Sequence, residues 1–309
     1  MTGEREWFDE NAVIGNRSAE EIRSYLTEVE GVESADLGVE GVAGKLRSTS
    51  QSQSMLQRLF GRRPWQHTGH VFGYVAPGQG RADHAIVPAG EIPPDPGLRG
   101  APITITLDAL RVADYPGRGT HRVLFDFYAE HQPDGAPSED LHFNFTFRIE
   151  EGSQAAVLGY PLFRALRSGT DGVRFKCFTV NISNDEDDQA LAFLESDVFR
   201  KGLQLASAAQ PAIAPLSQLA LGLTKSVLAR RRNVGVQDFF LGLDFSSVVT
   251  RARFAEGSFI AVQVPPDMIA TWDWNEWIVS GKNSQIVDRA TMSRLIPLNY
   301  IVIGVSRSG

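Results

Sequence analysis

Six histidines lie between residues 67 and 142 (His67, His70, His84, His121, His131 and His142), and the rest of the 309-residue chain has none. The spacing His67-x-x-His70 could bring two imidazoles to one metal ion, with His84 as a third ligand, because a catalytic zinc takes three protein ligands and keeps one position open. The competing reading places these histidines on the polar faces and loops of a sheet, and the sequence favours it. A second constellation, His121, Asp126, Glu139 and His142, has the residue types for general acid–base hydrolysis if neighbouring strands bring the four within hydrogen-bond reach.

A third constellation is the acidic run Asn184-Asp-Glu-Asp-Asp188. Calcium needs six to eight oxygens, generally drawn from more than one loop. Asp185, Asp187 and Asp188 would supply some of them, and Asp114, on a separate turn, another. Carboxylates in this position also suit the start of a helix, where the macrodipole favours negative charge, and that is the favoured reading. No metal or cofactor is expected, calcium being the one cofactor the acidic loops allow. The only cysteine, Cys177, can form neither an internal disulfide nor a thiolate zinc site, so a reducing, cytoplasmic setting is expected. The opening MTGEREWFDEN lacks the basic-then-apolar pattern of a signal peptide.

Local enzyme signatures are absent. There is no G-x-S-x-G elbow, no P-loop and no H-E-x-x-H, and Gly78-Gln-Gly80 lacks the third glycine of a dinucleotide fingerprint. The net charge of −7 argues against nucleic acid, whose phosphates demand clustered lysine and arginine. Trp272-Asp-Trp-Asn-Glu-Trp277 would mark a sugar or partner surface if exposed and would anchor a sheet if buried; burial is favoured.

The elements that must position these residues are mostly strands. Ile103, Ile105, Leu107 and Ala109 alternate with Thr104, Thr106 and Asp108. Val123, Phe125 and Phe127 alternate with Arg122, Leu124 and Asp126. Leu141, Phe143, Phe145, Phe147 and Ile149 alternate with His142, Asn144, Thr146 and Arg148. A period of two with one apolar face is the habit of antiparallel sheets. Further strands are expected at 173–182, 236–245, 248–254, 258–264, 276–279, 285–287 and 299–305, separated by Pro- and Gly-rich turns. Eighteen phenylalanines suit such a core, since Phe fills a pleated surface without a hydrogen-bond partner.

Helical period appears in two places. Residues 17–30 read as a helix capped by Ser18 with Glu21 three residues on, and Ile22, Leu26 and Val29 line its apolar face. A polar linker (47–54) and a short apolar helix (55–60) follow, so a boundary is placed near residue 60. The second place is 189–232. Gly202 to Thr224 carries no charge, and Pro211 and Pro215 break it, giving helices at about 190–209 and 214–231 closed by Arg230-Arg-Arg232.

The expected architecture is therefore mainly β: residues 61–309 form an antiparallel β-sandwich with an inserted α-helical hairpin, and residues 1–60 a small N-terminal helical segment and linker. The alternating strands and acidic loops resemble those of C2-type modules, a resemblance that implies calcium and phospholipid binding through loops at one end. The expected function is non-catalytic interaction or assembly, through a protein partner or self-association. The hairpin would then be core or docking surface, with Leu216, Leu219, Leu223 and Val227 as its docking residues. A membrane-active protein that inserts residues 190–232, in a calcium- or lipid-dependent way, is the second reading, since about 20 residues cross a bilayer. A hydrolase without a local motif is the third.

Overall fold

The computed structural model describes residues 13–30, 63–78, 82–131, 139–155, 157–169, 171–183, 192, 213–245 and 252–308. Among the described residues strand accounts for 48% and helix for 20%, so the chain is mainly β, as the alternating apolar pattern implies. Three sheets carry it. The largest has the order β3 (Val87–Pro88), β1 (Gly69–Val75), β12 (Gly257–Val264), β15 (Tyr300–Arg307), β4 (Pro102–Val112), β7 (Ser153–Gln154), with β8 (Tyr160–Arg167) also on β4. The second has the order β11 (Ala252–Arg253), β10 (Val234–Asp244), β9 (Gly172–Ile182), β5 (Thr120–His131), β6 (Glu139–Glu150). A small third sheet joins β14 (Ile286–Asp288), β13 (Trp277–Val279) and β2 (His84–Ala85). Among the described residues, all pairings between these strands are antiparallel except β10 with β11, and neither large sheet closes into a barrel.

The two large sheets share one hydrophobic cluster. Ile103, Ile105, Leu107 and Ile303 enter it from the first, and Val123, Phe125, Phe127, Phe143 and Phe175 from the second. Phe127 stacks on Phe175 with centroids 5.3 Å apart. Burial of a Phe side chain contributes about 2 kcal/mol, so this seam is the main apolar term.

Ala109 departs from the face expected of it. Leu107 pairs with Ile303 and Ala109 with Val302, which leaves Asp108 as an extra residue, a β-bulge. The bulge reverses the alternation: Leu110 and Val112 rejoin the shared core, while Ala109 turns to a second cluster with Tyr300, Trp274 and Trp277. Gly304 makes room for this, because a Cβ there would fall 2.6 Å from the Asp108 carboxylate.

The first helix, α1 (Ala19–Glu30), has the cap its sequence implies. Glu21 Oε2 accepts from the Ser18 N–H at 2.8 Å and from its hydroxyl at 2.7 Å, and Ser18 Oγ accepts from the Glu21 N–H. Ile22, Tyr25 and Leu26 belong to the shared core. Of the expected hairpin, the second helix is present as α2 (Ile213–Leu228). Pro215 is its third residue, inside the first turn, where no N–H is needed. The helix expected at 190–209, apart from residue 192, the short helix at 55–60 and most of the expected strand at 248–254 lie outside the described residues.

A chain of buried amides ties the turn at 113–116 to both large sheets. Asn299 Oδ1 accepts from the N–H groups of Ala113 (2.8 Å) and Asp114 (3.1 Å), and its Nδ2 donates to Asp114 O and to Gln263 Oε1. Gln263 Nε2 donates in turn to the carbonyls of His67 and Val236. On the other side, Gln237 Nε2 donates to Tyr115 Oη, Tyr115 shares a hydrogen bond with Thr179, and Asn181 Nδ2 donates to Pro116 O. Because Asn299 is fully buried, Asn299→Ala would strand four polar partners without water. It is expected to lower unfolding free energy by roughly 3 kcal/mol, read as a lower urea midpoint at unchanged slope.

Candidate functional site

The inward and outward positions of the five-stranded sheet have different fates. Outward on β5 and β6, Asp126 stands opposite Asn144 and Tyr128 opposite His142. These polar side chains are buried, not solvated: Asp126 is 1% exposed, His142 3% and Asn144 0%. Helix α2 lies over two of this face's residues, Asn144 and Tyr128. Asn144 Nδ2 donates to Ala220 O at 2.7 Å and to Thr224 Oγ1 at 3.0 Å, and Leu221 packs on Tyr128. A period-two pattern cannot distinguish a face turned to water from one turned to a helix backbone.

Of the four residues considered for hydrolysis, the fold brings two together. His142 Nδ1 lies 3.7 Å from Asp126 Oδ1, beyond hydrogen-bond length. His121 points to the opposite face, edge-on to Tyr115, and Glu139 stands opposite His131 at the far end of the hairpin. Burial holds His121 below its usual pKa, against the charge of Glu151. Cys177 is buried between the sheets and its thiol is pushed well up, by burial first and then by the charges of Asp126 and Asp238.

The metal readings resolve similarly. No group of three or more His, Cys, Asp or Glu that could hold an ion exists among the described residues. His67 is buried, and His70 packs on Phe239 at 4.9 Å. Both oxygens of Asp114 accept from Arg63, at 2.8 and 2.6 Å. Asp185, Asp187 and Asp188 lie outside the described residues. The tryptophan run is anchoring: Trp274 and Trp277 are buried, and Trp272 stacks on Trp277 with rings 9° from parallel.

The four residues proposed for docking do not share one environment on α2. Val227 is 1% exposed and belongs to the core, Leu223 is half-buried, and Leu219 is 42% exposed. Leu216 lies in the first turn, and its side chain is outside the described ones. Ala220 and Thr224 define the face turned to the sheet. No helix among the described residues is long and apolar enough to cross a membrane.

A separate opening lies elsewhere. A groove of about 660 Å³ runs round the end of the five-stranded sheet where β9 begins and β10 ends. Phe240 forms its most exposed apolar wall, at 54%. Glu130, Asp171, Arg174 and Asp244 stand on its rim, with Arg174 Nη1 3.4 Å from Glu130 Oε2. Gly172, with φ at +130°, lets β9 start there, since a Cβ would overlap the carbonyl of Leu243. The sequence carries one sign of this site, the doublet Phe239-Phe240, which puts an aromatic ring on each face of a single strand. No protein-family model matches the chain, and neither does any curated protein or solved structure.

Half-buried His70, whose Nε2 is shut off from water, sets a pH dependence. Burial lowers its pKa from 6.5 to about 3, with a hydrogen bond to Gln237 opposing the shift. Below about pH 6.5 the unfolded chain takes up a proton that the folded chain refuses, so stability falls by up to roughly 1.4 kcal/mol per pH unit as pH drops towards 3. His70→Gln is expected to remove that part of the slope when urea midpoints are compared at pH 7, 6 and 5. A slope identical to that of the unaltered chain would show that His70 does not carry it.

Proposed function

We propose that the chain is a non-catalytic interaction or assembly protein on a β-sandwich scaffold of C2-like kind, with the helical hairpin of residues 189–232 packed on it and the groove beside β10 receiving the partner. The observation that supports this best is Phe240. Its strand neighbour Phe239 is 6% exposed, whereas Phe240 keeps 54% of its surface in water. Leaving such a ring exposed forgoes about 2 kcal/mol of burial, and an aromatic side chain set within a charged rim is the usual anatomy of a binding hot spot. Leu219, exposed on α2, adds a second apolar point of contact. The one close pair of acid and base described above, Asp126 with His142, is buried on the sheet face where Asn144 meets α2.

The test is mass in solution, by light scattering on the protein alone and after incubation with extract from its cells of origin. The expected result is a species heavier than the monomer in one of the two, lost in Phe240→Glu while the circular dichroism of the strands is unchanged. A strict monomer under both conditions, or an assembly indifferent to Phe240→Glu, would overturn the reading.

A further inference from the structure

The most buried arginine among the described residues has no acid to answer it. Arg111, on β4, is 5% exposed. Arg63, Arg174, Lys176, Arg231 and Arg307 are all more exposed, and each stands within ion-pair distance of a carboxylate. No Asp or Glu among the described residues acts on Arg111 in this way, and burial holds its pKa below the usual value with only the Tyr300 phenol opposing. A guanidinium offers five N–H donors. Nη1 donates to Gly152 O at 2.9 Å, while Nε is sealed from water without an acceptor. Buried charges are as a rule paired, because their desolvation is otherwise uncompensated.

The neighbours of Arg111 explain its burial. It pairs with Tyr300 on β15 at one side and with Gln154 on β7 at the other, so the three side chains share one face of the sheet. Tyr300 and Gln154 are therefore two strand spacings apart, about 10 Å. Even so, Tyr300 Oη donates to Gln154 Oε1 at 3.1 Å, and that hydrogen bond passes over Arg111. Tyr300 Oη is steadied from behind, where it accepts from the Ile286 N–H at 3.4 Å. Gln154 has less support: it is half-buried on a strand of two residues that comes last in the strand order. A neutral amide oxygen thus takes a phenol O–H directly above a guanidinium, a place that suits an anionic oxygen better.

We propose that Arg111 and Tyr300 form a binding site for a carboxylate, and that the Gln154 side chain is the lid that closes it. When the lid swings out, the carboxylate accepts from the Nε–Nη2 edge of Arg111, the two-bond arrangement in which arginine holds carboxylates. One of its oxygens takes the Tyr300 O–H in place of Gln154 Oε1. The single charge of a carboxylate matches the single charge of Arg111. A phosphate carries about 1.5–2 charges near pH 7, and the residues before Gly152 are already Glu150 and Glu151. The site shares no residue with the groove beside β10 and does not depend on it.

The experiment follows the thermal midpoint of the full chain at pH 7 and constant ionic strength. Chloride is replaced by acetate or by phosphate, or an acetylated alanine peptide is added with its C-terminus free or amidated. Acetate, the free-carboxylate peptide or both are expected to raise the midpoint, and the amidated peptide is not. Gln154→Ala removes the lid and is expected to tighten binding about tenfold, whereas Tyr300→Phe weakens it by a similar factor. Arg111→Met abolishes the rise and leaves the chain folded, since an apolar side chain of similar length relieves an unpaired buried charge. A rise with acetate alone assigns the site to a free carboxylate, and a larger rise with the peptide assigns it to a chain terminus.

No rise with acetate or peptide up to about 100 mM, in both the unaltered chain and Gln154→Ala, would overturn the proposal. So would a rise that survives in Arg111→Met and Tyr300→Phe, or an equal rise with phosphate or the amidated peptide. If Arg111→Met lowers stability too far to measure, Tyr300→Phe, which removes one hydroxyl, decides the matter alone.

Discussion

The amide of Asn299 is the contact on which the relation between the two large sheets depends. Apolar faces attract without direction, and the cluster built from Ile103, Phe125, Phe127 and their neighbours would tolerate small shifts of one sheet over the other. Hydrogen bonds do not. Asn299 stands beside β15, Gln263 on β12, Gln237 on β10, and Thr179 and Asn181 on β9, and all of them reach the turn at 113–116 directly or through one intermediary. An unpaired buried polar group costs about 1–3 kcal/mol, against a total stability of only about 5–15 kcal/mol. A slipped arrangement that broke two or three of these contacts would lose much of what holds the chain folded. The network therefore selects one packing out of several that the core alone would allow.

A second polar layer does the same for α2. Asn144 reaches the carbonyl of Ala220 and the hydroxyl of Thr224, so the rotation of the helix about its axis is set by one side chain on β6. Ala220, Thr224 and Val227 must then face inward, and Leu219 outward. This explains why four apolar residues at helical spacing do not form one surface. Their spacing describes a stripe, but the polar partner on the sheet decides which part of the stripe is core.

What the sequence makes legible follows from how local each cause is. The strands β4, β5 and β6 show clear alternation because one face of each meets the shared apolar core. The Ser18 cap of α1 is likewise written within four residues. By contrast, β1 (GHVFGYV) contains two glycines and no clean alternation, and β8 begins Tyr-Pro, so neither is expected from pattern. The bulge at Asp108 is fixed by register against β15, nearly two hundred residues away in sequence. Arg63, which occupies both oxygens of Asp114, is 51 residues removed from it. The groove is hardest to foresee, because its lining comes from β1, β5, the turn before β9 and its first residues, the end of β10 and β11, and only the Phe239-Phe240 doublet hints at it.

The sheet edges and the groove differ in what they leave exposed. A strand edge with open backbone groups invites pairing with another chain, and proteins blunt such edges with short strands, proline or bulges. Most edges here are blunted: β3 is two residues long and ends in Pro88, β8 carries a kink at Ala165 with φ at +55°, and the rings of Phe143 and Phe145 on β6 are flanked by Tyr160. Beside β10 the described neighbour is β11, and there Phe240 keeps 54% of its surface in water. A ring left exposed next to a groove forgoes about 2 kcal/mol of burial, a cost that a partner covering Phe240 offsets.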